Sequence, residues 1–225
     1  MIYKLAYKTL GVKQNPLISE FQINHEIKDI CFVPNIGFFF TANQCLGKID
    51  LLGKVEFPFA GKEDIAVVEN GYLQKVTFKD PSGICYSEKL DSIIVSECGG
   101  KRLRGLKIKD QYYATKPFSN TFDKTIDGLL QEKFNGGKTY ISSYEHSIVF
   151  GNCMSHYVFS IWNFDYCFVY GNGKSGFTYS NIKEKNTMTN PSGACYMKNI
   201  LYIMSKLRLY VLYSRNERTI ITATD

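Results

Sequence analysis

The 225-residue chain has room for one large domain or two small ones, and its 44% hydrophobic and 21% charged residues exclude a mostly disordered, collagen-like or coiled-coil protein. A net charge of +6 gives solubility and a mild attraction to anions, without the dense basic blocks of a dedicated nucleic-acid binder. Aromatic residues reach 15%, with 16 Tyr and 16 Phe against one Trp, a weighting that favours strands over helices.

The N-terminal segment alternates apolar and charged residues, and residues 2–10 and 17–23 read as two strands without the apolar segment of a secretory signal. The longest apolar runs, such as residues 36–40, are strand-sized and far short of the roughly 18 residues needed to cross a bilayer, so no membrane association is expected.

A repeat organises the rest. Thr77-Phe78-Lys79-Asp80-Pro81-Ser82-Gly83-Ile84-Cys85-Tyr86 and Thr187-Met188-Thr189-Asn190-Pro191-Ser192-Gly193-Ala194-Cys195-Tyr196 agree at six of ten positions and lie 110 residues apart. That distance holds two units of about 55 residues. Cys31 precedes Cys85 by 54 residues, and Tyr140-Ile141-Ser142-Ser143-Tyr144 supplies the intermediate copy. Each copy continues into a second apolar run (Phe38-Phe39-Phe40, Ile93-Ile94-Val95, Ile148-Val149-Phe150, Leu201-Tyr202-Ile203) and then a third. Every unit therefore reads strand, strand, strand, with turn residues between. The units are 26–75, 76–132, 133–185 and 186–225, preceded by strands within 1–25.

Six of the seven cysteines fall in two columns of this repeat: Cys31, Cys85 and Cys195 with Ser142, and Cys45, Cys98 and Cys153 with Ser205. Replacement of Cys by Ser is replacement by size, which points to close packing of a repeated strand. An odd cysteine count argues against a disulfide framework, and the lack of CxxC or HxxxH spacing argues against a metal site. Cys167 lies outside both columns.

Short antiparallel strands repeated every ~54 residues predict an all-β fold, a β-propeller of four blades as one domain over 1–225, with the N-terminal strands joining the C-terminal ones to close the ring. The count becomes five if the connectors 62–75 and 118–138 add strands. A ring left open would expose two blade faces, to be covered by another chain.

Pro81-Ser82-Gly83-Ile84 followed by Val95-Ser96-Glu97-Cys98-Gly99-Gly100-Lys101-Arg102-Leu103 resembles the NHL repeats, whose blades carry a Pro-x-Gly-Ile inner strand and an acidic turn leading to Arg. The resemblance implies that Pro81, Gly83, Cys85, Glu97, Arg102, Pro191, Gly193 and Cys195 are scaffold positions, with Glu97 and Arg102 tying strands together. Three functional readings are open, the second and third by that resemblance. The first, which we expect, is a non-enzymatic module for protein binding or assembly, a subunit of a cytoplasmic or intracellular complex or of a virion, with no cofactor. The second is a metal-dependent propeller hydrolase of lactonase or esterase type, for which Asp29, Glu97 and Asn152 would have to meet at one channel mouth while the three histidines are scattered. The third is single-stranded RNA binding on a basic face built from Arg104, Lys107 and Lys109 with the basic C-terminal region. Partner contact is expected at tyrosines outside the repeat columns, Tyr112, Tyr113, Tyr144 and Tyr179, because Tyr offers large contact area at little entropic cost. Gly171-Asn172-Gly173-Lys174-Ser175-Gly176 lacks the first glycine of a phosphate loop and reads as a hairpin turn.

Overall fold

The computed structural model describes residues 2–6, 17–21 and 23–224, except 74, 111, 119, 135–136, 165, 177, 179–184, 186, 199, 206–207 and 216–217. Each repeat unit folds as a four-stranded antiparallel meander. The first blade is β3 (Ile27–Val33), β4 (Gly37–Ala42), β5 (Cys45–Asp50) and β6 (Val55–Gly61), after an N-terminal pair β1 (Ile2–Ala6) and β2 (Leu17–Phe21). The second is β7 (Pro81–Ser87), β8 (Ser92–Glu97), β9 (Arg102–Lys107) and β10 (Tyr113–Thr115). The third is β11 (Thr139–Tyr144), β12 (Ser147–Asn152), β13 (Tyr157–Trp162) and β14 (Tyr166–Tyr170). The fourth is β15 (Pro191–Met197), β16 (Ile200–Ser205), β17 (Arg208–Arg215) and β18 (Arg218–Thr224). The first hairpin of every blade turns on a residue in the left-handed region, Asn35, Asp91, Glu145 or Lys198.

The sheets stack as the four blades of a β-propeller. β3 packs on β7, β7 on β11 and β11 on β15, with an apolar seam inside each pair. No comparable seam joins β15 to β3 among the described residues.

Two expectations are corrected. The N-terminal strands do not join the last blade: β1 and β2 pair with each other, and the edge of β17 is taken by β18 from its own unit. Neighbours in sequence pair at a smaller loop-closure cost than chain ends some 200 residues apart. The connectors do not add a fifth blade. Among the described residues, 62–75 carry only part of the isolated bridges Glu69–Thr77 and Gly71–Ala114. Residues 118–138 instead form α1 (Asn120–Lys133), because Phe122, Ile126, Leu129 and Leu130 recur at helical spacing. Ile126 and Leu130 are buried with Phe134, whose ring meets the Phe159 ring at 5.5 Å in the core between blades two and three.

The first small-residue column is real. Cys31, Cys85, Ser142 and Cys195 pair with Phe39, Ile94, Val149 and Tyr202 at the same register of each inner hairpin. The second column is not. Cys98 and Cys153 lie in turns, whereas Cys45 opens β5 and Ser205 closes β16. By register the equivalents of Ser205 are Ala42, Glu97 and Asn152, the last residues of the second strands.

In three blades that last residue is a buried polar group holding the connector into its own inner strand. Glu97 accepts the Lys79 N–H at 3.1 Å, Asn152 donates to the Gly137 carbonyl at 3.3 Å, and Ser205 donates to the Thr189 carbonyl at 2.6 Å. In blade two the group is charged, and its partner is Arg104, at 3.1 Å, rather than the expected Arg102, which donates to the Gly100 carbonyl. Arg104 also donates to the carbonyls of Glu69 (2.8 Å) and Thr77 (3.4 Å), which fastens the 62–80 connector to the blade. Burial pushes the Glu97 carboxyl up against the pull of Arg104.

Polar ties also cross the seams. Thr41 donates to the Ser82 carbonyl at 2.5 Å, Ser96 and Thr139 share a hydroxyl pair at 2.6 Å, and Ser142 donates to the Ala194 carbonyl at 2.7 Å. Gly83 is required because an added Cβ would stand 3.0 Å from the backbone of Tyr140 and Ile141 in the next blade and 2.8 Å from the Ser96 hydroxyl.

Two outcomes follow in urea unfolding. Glu97→Ala or Arg104→Ala alone should each lose about 3–5 kcal/mol, and Glu97→Leu with Arg104→Met should lose less than either, because the pair removes both buried charges. Gly83→Ala should lose about 1–3 kcal/mol through overpacking of the seam.

Candidate functional site

The ends of three inner strands and the turns that follow them converge on a cavity of about 360 Å³. Phe32 and Pro34 come from blade one, Tyr86, Glu88 and Lys89 from blade two, and Ser143, Tyr144 and Glu145 from blade three. Repetition alone puts these residues together, since the same hairpin end recurs in each blade and successive blades stack. The floor is tied down. Ser143 donates to the Tyr86 carbonyl across the seam, and the Tyr86 hydroxyl donates to Asp91 at 3.3 Å. Burial, followed by the Asp91 carboxylate, raises the Tyr86 phenol above its ordinary range, so it is a neutral donor at physiological pH. Glu88, Lys89 and Glu145 are exposed around the rim. The mouth therefore combines ring surface, a hydroxyl and an excess of carboxylate.

The opposite end, where the inner strands begin, is charged. Lys28 meets Asp80 at 2.5 Å and Lys138 meets Glu26 at 2.8 Å, ion pairs that link blades one and two and blades one and three.

The expected contact residues separate into different places. Tyr144 lines the mouth. Tyr113 and Lys109 line a second, open depression of about 370 Å³ with Tyr72 and Asp110, where the Tyr72 and Tyr113 rings meet edge to face at 4.9 Å. Lys107 is exposed at the end of β9. Tyr112 is half-buried in the seam of blades one and two, its ring 5.0 Å from that of Phe59. Tyr179 lies outside the described residues. Arg104, expected on a basic face, is 1% exposed and committed to Glu97. Its side chain points to the core because it shares the face of Val95, its cross-strand partner.

The scaffold positions divide by blade. Pro81, Gly83 and Cys85 are buried and Pro191 is buried, but Gly193 is only half-buried and Cys195 is exposed. Burial pushes the Cys85 thiol up to about 12, which leaves it protonated and inert.

Asp29, Glu97 and Asn152 each have separate engagements. Asp29 accepts the Ile84 and Ile30 N–H groups at 2.9 and 2.8 Å, Glu97 holds Arg104, and Asn152 accepts the N–H groups of Met154 and Ser155. The histidines are apart as well, His25 beside Glu63, His146 beside Phe164 and His156 accepting the Asn190 N–H. Among the described residues, no three His, Cys, Asp or Glu side chains gather as a metal-holding group.

Phe32, Tyr86, Glu88, Lys89, Ser143 and Glu145 escape sequence reasoning aimed at residues outside the repeat. A usable signal exists: Phe32, Tyr86, Ser143 and Tyr196 each follow the small-residue column, at the last turn-ward positions of the inner strands.

No family model matches the chain, and no curated protein matches it by sequence. Solved structures do. An auxiliary nutrient binding protein from Bacteroides ovatus superposes with a TM-score of 0.64 at 8% identity, over 92% of this chain and 49% of its own. A putative phosphatase from Bacteroides thetaiotaomicron gives 0.55 at 11% identity, over 88% and 48%. A streptogramin B lyase gives 0.53 at 11% identity, over 90% and 56%. This chain thus spans about half the length of each. At such identities the likeness is one of fold, and it is to β-propeller-like proteins.

Asp29 offers a pH test of the seam. Burial is the largest influence on its carboxyl and raises it above the usual range against two N–H donors. The folded state therefore holds this proton more tightly than the unfolded chain, and the contribution of Asp29 to stability falls as pH rises through the carboxylate range. Asp29→Asn should flatten that part of the pH dependence of the urea midpoint, and an unchanged slope would contradict the assignment.

Proposed function

We propose that this chain is a non-enzymatic binding and assembly module, an NHL-like propeller that receives a protein partner at the mouth formed by blades one to three. The observation that carries this reading is the composition of that mouth: Phe32, Pro34, Tyr86 and Tyr144 provide apolar and aromatic surface, and Glu88 and Glu145 outnumber Lys89 at its rim. Aromatic surface in a concave, rigid setting is the usual anchor of a protein interface, and surrounding charge sets specificity and association rate. A peptide segment with an apolar anchor beside a basic residue fits this chemistry. Rigidity comes from the seams, so that the mouth needs no reordering to bind.

Selection of a displayed peptide library against the chain tests the reading. The expected ligands carry an apolar residue next to Lys or Arg, and lose at least tenfold in affinity on Tyr144→Ala and on Glu145→Lys while Tyr113→Ala leaves them unchanged. Ligands indifferent to both mouth substitutions would place binding elsewhere on the molecule.

A further inference from the structure

Blade two places a buried ion pair where blades three and four place Asn152 and Ser205. Two buried charges add little net stability over an apolar pair of similar volume, so their presence calls for a positional reason. The reason lies in the connector. Glu69 donates its N–H to the Thr77 carbonyl at 3.4 Å and Thr77 donates to the Glu69 carbonyl at 3.3 Å, which closes the neck of the loop between them. Arg104 donates to both of those carbonyls, at 2.8 Å to Glu69 and 3.4 Å to Thr77. Glu97, which holds Arg104, accepts the N–H of Lys79 just beyond the neck.

The loop is fixed beyond its neck as well. Gly71 and Ala114 exchange two backbone hydrogen bonds, at 3.1 and 2.8 Å, which lay the loop along the outer strand β10. The Tyr72 carbonyl accepts the N–H groups of Lys75 and Val76 at 2.8 and 2.9 Å. These bonds bring Tyr72 beside Tyr113, whose N–H is held by the Asp110 carbonyl at 3.2 Å, and the two rings meet edge to face at 4.9 Å. Tyr72 nevertheless stays 54% exposed. With Lys109 and Asp110, both exposed, the rings line the open depression of about 370 Å³. An exposed ring on a loop clamped in this way has already lost the freedom that binding would cost, which suits it to contact with a ligand.

The lining selects the ligand. Lys109 stands 3.5 Å from the Asp91 carboxylate and Asp110 supplies a second acid, so the depression has no excess of positive charge for a phosphate chain. Among the described residues the two rings are its apolar surface, without an aliphatic pocket to seat a protein side chain. What remains is an aromatic face flanked by an ammonium donor and a carboxylate acceptor. We propose that this depression is a carbohydrate site, which takes a neutral hexose unit of an oligosaccharide: the C–H face of the pyranose lies on the Tyr72 ring, and its hydroxyls accept from Lys109 and donate to Asp110. The open shape suits one unit of a longer chain, which runs through the depression without needing an end.

The site lies at the outer strand of blade two and shares no residue with the mouth, so it and the protein-binding reading can fail separately. An array of neutral and acidic oligosaccharides, followed by calorimetric titration with the neutral members retained, tests it. The expected result is binding of neutral hexose oligosaccharides that falls at least tenfold on Tyr72→Ala and on Asp110→Ala, and stays within about threefold on Tyr72→Phe, which keeps the ring. Tyr113→Ala, silent at the mouth, should also weaken it. Glu97→Leu with Arg104→Met should lower the affinity at least fivefold with unchanged circular dichroism, because it frees the neck without touching the lining. A silent array, binding confined to acidic oligosaccharides, or neutral binding indifferent to Tyr72→Ala would each overturn the proposal. A uridine decanucleotide that binds the chain and is lost on Tyr72→Ala would overturn it in favour of nucleic acid, and undiminished affinity in the double variant would overturn the role given to the clamp.

Discussion

Almost everything in this structure depends on how closely one inner strand can approach the next. The seam is set by a short stretch in which Gly83, Cys85 and Ser96 face Thr139, Ile141 and Ser143, with backbone so near that one added carbon would strike it. Side chains that small bury little apolar area themselves. They let the larger groups behind them, such as Ile94 and Leu103 against Phe150 and Phe159, come into contact across the gap. The hydroxyls that remain are absorbed by backbone carbonyls and by one another, which satisfies polar groups that would otherwise be costly to bury.

A second constraint works along each blade. The last residue of the second strand, Glu97, Asn152 or Ser205, grips the connector entering its own inner strand, and thereby fixes where that strand starts relative to its neighbour. Blade two does this with a buried ion pair, the most demanding of the three solutions, because Arg104 has a long irregular connector to hold through Glu69 and Thr77 as well. The mouth inherits its order from both devices. Its residues are not bonded into a single network. They sit at the ends of strands whose spacing and starting points are already determined.

The mouth and the outer face of blade four are two outcomes of one repeat. Where successive blades meet, identical hairpin ends gather into a concave surface. On the outer face of blade four the same register positions are exposed, and the contrast between Leu103 and Leu209 measures that directly. Met197, Met204 and Leu209 share that exposed face of blade four, whereas on blade one Phe40, Ala42 and Ile49 are buried beneath Ile23, Val55 and Phe57.

The sequence by itself determined the four-unit antiparallel β architecture, because a 54-residue spacing of small residues and apolar runs is a local, periodic signal that survives substitution. Cys31, Cys85, Ser142 and Cys195 could be aligned without coordinates, and Gly83 and Pro81 could be read as scaffold. Tertiary structure alone decided the rest, for reasons of direction and distance. Arg102 and Arg104 share one face of β9, with Arg102 directly opposite Glu97, so which of them meets Glu97 turns on what lies over that face: Arg104 is buried against the carbonyls of Glu69 and Thr77, and Arg102, half-buried at the start of the strand, turns to the Gly100 carbonyl. That Tyr112 joins a core while Tyr144 lines a cavity depends on where a connector and a turn end up against other blades. That Cys195 is exposed and Cys85 is not is invisible in two decapeptides that agree at six of ten positions, because burial is a property of the neighbouring blade and not of the strand that carries the residue.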